Sequence, residues 1–144
     1  METDEFVAFV RQRGLAVVAT LGPDDTPQAT VVAVVATDLG EVLFGAERGS
    51  RKFVNIQRRP EVALAIGWDE DEIAVQCEGI ADEPQGTARE RCEQCYLERY
   101  PIEPRLADGQ ELGLVRVRPN WLRYADTRRG SYRWEETFPA AAEA

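Results

Sequence analysis

The segment Ser50-Arg51-Lys52 offers the clearest chemistry in this chain. It follows an apolar run that ends near Ala46 and precedes residues with helical spacing, so it falls at the start of a predicted helix. The first turn of a helix presents unpaired backbone N–H groups and the positive end of the helix dipole. A hydroxyl and two cations at the same point make the segment suited to a phosphate group.

The rest of the chain is acidic, which limits the kind of anion it can bind. Its 144 residues hold 17 Lys and Arg against 26 Asp and Glu, a formal net charge of −9. Binding to nucleic acid or to anionic lipid calls for an excess of cations, so we expect no nucleic-acid or membrane partner. The sequence has no apolar run of membrane-spanning length, and its N-terminus is acidic, unlike a signal peptide. We therefore expect a cytoplasmic protein with a small anionic ligand.

Other reactive or charged groups have simpler structural explanations. Cys92 and Cys95 have the spacing of a redox or zinc motif, but they fall inside a predicted helix. The chain has no histidine, and Cys77 is its only further cysteine, so we predict no metal site. The acidic run at 69–72 is typical of a solvated turn. Trp121 and the arginines at 128–129 are candidates for lining the substrate side of a site.

The elements that must position these groups follow from periodicity and from turn residues. The first predicted helix has Thr3 as its cap and ends at Gly14. The pattern predicts helices over residues 4–13, 51–59 and 87–100, and strands over 15–21, 28–36, 41–46, 62–68, 73–81 and 112–125. We expect the first three strands to form a meander, the sixth to bend at Pro119, and residues 101–109 to form a loop.

Six short strands with few crossovers predict a mainly β fold, a closed six-stranded antiparallel barrel with flanking helices. The length suits one domain, which we place at residues 1–138, followed by a flexible tail at 139–144.

Four segments carry a resemblance to a known family. They are Gly49-Ser50-Arg51-Lys52, then Asn55-Ile56, then Arg59-Pro60-Glu61-Val62-Ala63-Leu64, and later Gln76-Cys77-Glu78-Gly79-Ile80-Ala81. With their spacing, these segments resemble the FMN-binding split barrel of the pyridoxamine 5′-phosphate oxidase-like proteins. The resemblance extends over roughly residues 5–126, and its most specific part is a strand followed by Ser-Arg-Lys, a helix and Arg-Pro-x-Val.

The resemblance implies a homodimeric split barrel that holds FMN in a groove between subunits. Arg51 and Lys52 match the phosphate contacts, the second and third strands match the flavin segments, and Gln76 lies near the family's polar flavin contact. The cofactor-binding residues implied in this way are Thr30, Val31, Val32, Gly45, Ala46, Ser50, Arg51, Lys52 and Gln76. A deazaflavin coenzyme would place its phosphate at the same cations, so it remains an alternative to FMN.

The chain also departs from the oxidases of that family. They have an arginine where this chain has Thr30, a lysine where it has Val35, and a glutamine where it has Ala74. The Arg-x-His arrangement near their C-terminus is missing as well. The resemblance therefore implies an FMN-dependent oxidoreductase for an unidentified small molecule, rather than oxidation of pyridoxamine 5′-phosphate itself.

Two other classes of function stay open. The chain could be a non-catalytic flavin or deazaflavin carrier, or a ligand-free dimerisation module in which Ser50 is only a helix cap.

Overall fold

The computed structural model describes residues 1–101, 111–128 and 132–139. In chain order the elements are α1 (Thr3–Arg13), β1 (Leu15–Leu21), β2 (Pro27–Ala33), β3 (Val35–Ala36), β4 (Val42–Glu47), α2 (Arg51–Arg58), β5 (Glu61–Ile66), β6 (Ile73–Asp82), α3 (Gly86–Arg99), β7 (Leu112–Asp126) and β8 (Arg133–Thr137). Among the described residues, no helix is long and apolar enough to cross a membrane.

All strands belong to one antiparallel sheet in the order β2-β1-β5-β6-β7-β4-β3, and β8 pairs with β7. The 15-residue β7 pairs along one side with β6 and along the other with β4 and then β8. The two end strands, β2 and β3, are consecutive in the chain and separated only by Val34, so the sheet must curl to bring its ends together. This arrangement confirms the predicted split barrel, with eight strands rather than six.

The strand predicted over residues 28–36 is divided at Val34, which is one source of the different strand count. The N–H of Val34 donates to the carbonyl of Gly14 at 2.9 Å, and the chain then changes its partner from β1 to β4. The predicted meander is present, but the two parts of the divided strand share it, because β2 pairs with β1 and β3 pairs with β4.

The other extra strand, β8, was not predicted because its residues lack the alternation of a half-buried strand. Its side chains are exposed except for the half-buried Thr137. The predicted bend at Pro119 corresponds to a register shift in the pairing of β6 with β7, beside Gly79. Apart from its first residue, the predicted loop at 101–109 lies outside the described residues, as does the predicted tail after Pro139.

Helix α1 starts one residue earlier than predicted, and its cap is Glu2 rather than Thr3. The side chains of Glu2 and Glu5 form a reciprocal capping box, so the Thr3 hydroxyl is not needed as a cap. The helix ends at Gly14 as predicted. That residue has φ +72°, a left-handed conformation that glycine adopts without steric cost.

The main core lies inside the curled sheet, where α1 and α2 bury their apolar faces. A smaller cluster lies between α3 and the strands β4 and β7. Phe53 on α2 packs against Gly113 of β7, where a Cβ atom would come within 2.4 Å of the ring. This close contact holds the N-terminal turn of α2 against the start of β7 and so positions its cations.

Candidate anion and cofactor site

The N-terminus of α2 is built as the sequence predicts. Ser50 is the N-cap, and its Oγ accepts a hydrogen bond from the backbone N–H of Phe53 at 3.4 Å. The same hydroxyl donates to the carbonyl of Glu47 at 2.6 Å. No acidic residue lies in the first turn of α2, so the positive end of its dipole is not neutralised locally.

A cleft of about 430 Å³ lies beside this helix start, and we call it the rim cleft. It is lined by Thr20, Gln28, Ala29, Thr30, Arg51 and Lys52. Within the described part of the chain, neither Arg51 nor Lys52 makes a hydrogen bond or ion pair with another side chain. Both cations are therefore available to an anion in the cleft.

Asn55 lies behind the rim cleft and forms hydrogen bonds to two residues of its floor. Its side chain is buried on the inner face of α2, and its Nδ2 donates to Thr20 Oγ1 at 3.0 Å and to Gln28 Oε1 at 2.9 Å. Strands β1 and β2 place Thr20 and Gln28 opposite one another in the sheet. One buried amide thus fixes two polar groups of the cleft.

The outer face of the sheet next to the rim cleft carries small apolar side chains. Val17 pairs with Val31 on β2 and with Ala65 on β5, and Ala19 in the same way pairs with Ala29 and Ala63. We call this surface the outer patch, and it comprises Leu15, Val17, Ala19, Ala29, Val31, Ala33, Ala63 and Ala65. Leu15 is 56% exposed and Val31 is 63% exposed. Ala29 belongs to both surfaces, so the patch and the cleft are continuous.

The structure brings together only some of the predicted cofactor residues. Thr30, Arg51 and Lys52 line the rim cleft, and Ser50 caps the helix beside it. Val31 lies on the outer patch, one position further along β2.

The remaining predicted residues lie elsewhere. Val32 and Ala46 have side chains in the main core, and Gly45 faces α3, where a Cβ would come within 3.0 Å of the hydroxyl of Tyr96. Gln76 lies in a shallow depression next to the outer patch, three strands or about 14 Å from β2.

Sequence reasoning did not select Thr20 and Gln28 as site residues, and it gave no contact role to Asn55. A signal was present in β1, where Ala16 and Val18 alternate with exposed residues, so that Thr20 falls at an inward position. A polar residue at an inward position needs a hydrogen-bond partner. Which partner it finds depends on the packing of α2, and the sequence pattern does not give that.

A second cavity, of about 260 Å³, lies near the N-terminus of α1, but the charges around it neutralise one another. Its buried Glu41 accepts hydrogen bonds from Arg91, Arg116 and Thr37, and Arg116 also binds Asp82. Burial by itself raises the pKa of Glu41, but the hydrogen bonds and the arginine charges lower it below 4.5. This carboxylate is therefore part of a structural ion network.

The cysteines lie in unreactive surroundings. Burial raises the pKa of Cys77 to about 12, and burial also raises the pKa of Cys92 and of Cys95. Thiols become nucleophiles or metal ligands as thiolates, which these environments disfavour. Among the described residues, no cluster of three or more His, Cys, Asp or Glu side chains is arranged to hold a metal ion.

A curled antiparallel sheet with a capped, cationic helix start at its edge places this chain among the split-barrel proteins. The sequence profile of the pyridoxamine 5′-phosphate oxidase family matches residues 2–126. The chain therefore belongs to the pyridoxamine 5′-phosphate oxidase-like family, as its sequence motifs predict. No curated protein sequence matches it.

Solved structures share this fold at low sequence identity. A haem-binding protein from Mycobacterium smegmatis is 18% identical, with a TM-score of 0.78; the match covers 96% of this chain and 58% of that protein, so this chain spans little more than half its length. A conserved hypothetical protein from Mycobacterium tuberculosis is 27% identical, with a TM-score of 0.70 and coverage of 89% and 86%. A pyridoxamine 5′-phosphate oxidase-related, FMN-binding protein from Nostoc punctiforme is 13% identical, with a TM-score of 0.66 and coverage of 95% and 94%.

Proposed function

We propose that this protein binds FMN with its phosphate in the rim cleft and acts as an oxidoreductase on a small molecule. The observation that carries the proposal is the pair of cations Arg51 and Lys52, which have no side-chain partner among the described residues, at a helix start with no acidic residue in its first turn. The description of the Nostoc relative as FMN-binding supports the same choice of ligand.

The residues of the cleft fit a phosphate monoester. Arg51 and Lys52 supply charge-assisted donors, and Thr30 adds a hydroxyl. When bound, the flavin supplies the electron or hydride transfer, and the protein needs to provide binding and orientation. The proposal therefore requires no catalytic acid or base from this chain. We keep Gln76 as the proposed polar contact near the flavin ring.

The Mycobacterium smegmatis relative raises haem as another ligand. This chain contains no histidine, the most familiar axial ligand of haem iron. The described part of the chain offers no observation that favours haem over a phosphorylated flavin.

We also propose that a second copy of the chain covers the outer patch. Exposed apolar side chains are contiguous there across β2, β1 and β5, and polar residues on β6 border them. The patch adjoins the rim cleft through Ala29, so dimerisation and cofactor binding would share one surface.

The first experiment is an absorbance spectrum of the purified protein after incubation with FMN and removal of free flavin on a sizing column. We expect flavin bands near roughly 375 and 450 nm that elute with the dimer. Bound flavin that accepts electrons from a nicotinamide donor supports an oxidoreductase, whereas inert bound flavin supports a carrier. A protein that remains colourless with FMN but retains a deazaflavin coenzyme refutes the choice of FMN.

Dimerisation is tested by Val17→Glu, which places a charge in the middle of the outer patch. We expect this variant to elute as a monomer, because an unpaired charge in an apolar interface is costly. The matched control is Val54→Glu, which adds the same charge at a residue of α2 that is 47% exposed and lies outside the patch. Equal elution of the two variants would rule out the patch as the dimer surface.

A further inference from the structure

The rim cleft contains a feature that the cations alone do not explain. Asn55 lies on the buried face of α2, with 3% of its surface exposed, and does not line the cleft. Both hydrogens of its amide are nevertheless directed to cleft residues, one to Thr20 Oγ1 and the other to Gln28 Oε1.

Those two hydrogen bonds determine what Thr20 and Gln28 offer to a ligand. A threonine hydroxyl has one hydrogen, and a glutamine amide has a donor end and an acceptor end. Because Asn55 donates to the oxygen of each, Thr20 keeps its hydrogen free and Gln28 keeps its Nε2 hydrogens free. Within the described part of the chain, neither group has an acceptor for these hydrogens.

Thr20 is a buried group, with 3% of its surface exposed, and among the described residues its hydroxyl acts as an acceptor and has no partner for its hydrogen. Buried polar groups in folded proteins normally satisfy their hydrogen bonds, and an unused one has a cost. An anion in the rim cleft, which Thr20 lines, would accept this hydrogen.

We infer that Asn55 is a positioning residue that turns Thr20 and Gln28 into hydrogen-bond donors, so that the rim cleft presents donors to a tetrahedral oxyanion. This inference deepens the proposed function and rests on it, because the same cleft is assigned to the FMN phosphate. A cleft that recognises its anion through donors accepts sulfate as readily as phosphate, because neither anion has to supply a proton.

The test uses Asn55→Asp, which keeps the shape of the side chain but replaces its two donors by acceptors. Thr20 and Gln28 would then donate to the new carboxylate and withdraw their hydrogens from the cleft. The matched control is Gln57→Glu, the same amide-to-carboxylate change at an exposed position of α2. Both variants add one negative charge to α2. The difference between them therefore reports the contact of residue 55 with the floor of the rim cleft.

We expect Asn55→Asp to weaken FMN binding at least tenfold and to change riboflavin binding less than twofold, since riboflavin lacks the phosphate. Gln57→Glu should weaken FMN binding less than threefold. Inorganic phosphate and sulfate should both raise the melting temperature of the original protein and of Gln57→Glu, but not that of Asn55→Asp. Gln28→Glu should reproduce the loss of FMN binding, and it covers the case in which Asn55→Asp does not fold.

Failure of this inference is distinguishable from failure of the proposed function. Equal loss of FMN and riboflavin affinity in Asn55→Asp, or unchanged FMN affinity, overturns the positioning role while FMN binding stands. If phosphate raises the melting temperature of the original protein but not that of Asn55→Asp, and FMN does not bind, the positioning role is supported and flavin binding is refuted. Absence of any effect of phosphate, sulfate and FMN on the original protein overturns both.

Discussion

Replacing both cations of the rim cleft by alanine is expected to weaken FMN binding about 100-fold. A hydrogen bond to a charged group contributes about 1.5–3 kcal/mol, and each 1.4 kcal/mol is a factor of ten in affinity. Arg51 is exposed and Lys52 is half-buried, so water competes for both and the lower end of that range applies. Each cation then accounts for about tenfold in FMN affinity.

The matched control is Arg58→Ala combined with Arg59→Ala, which removes two positive charges at the other end of α2. That end is about 10 Å from the cleft, since an eight-residue helix rises 1.5 Å per residue. At this distance, close to one Debye length at 0.1 M salt, removal of the charges should weaken binding only two- to threefold. The comparison separates contact with the phosphate from a general change of charge.

The assay is titration of both double variants with FMN and with riboflavin, followed by flavin fluorescence. Riboflavin affinity should be nearly the same in all proteins because it lacks the phosphate. Melting temperatures of the Arg51 and Lys52 variant should stay within about 2 °C of the original, as expected for surface residues that have no side-chain partner in the described part of the chain. FMN affinity within threefold of the original protein would refute the assignment of the rim cleft to the phosphate.

Three further predictions concern stability and reactivity. Glu41→Gln should lower the free energy of unfolding at pH 7 by about 3–5 kcal/mol. Because the pKa of Glu41 is lowered in the folded state, its stabilising contribution is present above about pH 4.5 and is lost as the pH falls through the folded-state pKa. The urea midpoint of the variant should therefore fall less steeply with decreasing pH than that of the original protein, and an equally steep fall contradicts this. Gly79→Ala should lower the free energy of unfolding by about 1–3 kcal/mol, since its Cβ would lie 2.6 Å from the carbonyl oxygen of Arg118. The control Gly49→Ala, whose Cβ would have no neighbouring atom within 4 Å, should leave this free energy unchanged. Equal thermal midpoints of the two variants would exclude the clash. Cys77 should resist alkylation at pH 8 until the protein is unfolded, as peptide mapping will show, and labelling of the native protein would contradict its burial.

The parts of the fold that the sequence predicts well are those with a strong local signal. Alternation and turn residues define the long strands, and Ser50 followed by helical spacing defines the start of α2. By contrast, β3 has only two residues, and β8 has no buried face except at the half-buried Thr137, so neither produces a periodic pattern. Each instead pairs with the strand next to it in the chain, β3 with β4 and β8 with β7.

The same distinction applies to the candidate site. The helix start predicts Arg51 and Lys52 and the resemblance adds Thr30, and the structure places all three around one cleft. The contribution of Asn55 was not predictable, because its two hydrogen bonds connect residues 35 and 27 positions apart in the sequence. The side chains of Val32 and Ala46 face the core, a direction that follows from the register of each strand rather than from residue type.

The position of β7 also determines when the sheet can be completed during synthesis. Before residues 112–126 leave the ribosome, β4 has only the two-residue β3 as a partner, and one edge of β6 is unpaired. The nascent chain therefore holds two separate pieces of sheet, β2-β1-β5-β6 and the β3–β4 hairpin, which β7 joins when it pairs with both. A chain interrupted before β7 exposes the open edges of β4 and β6, the kind of edge at which strands of different molecules associate.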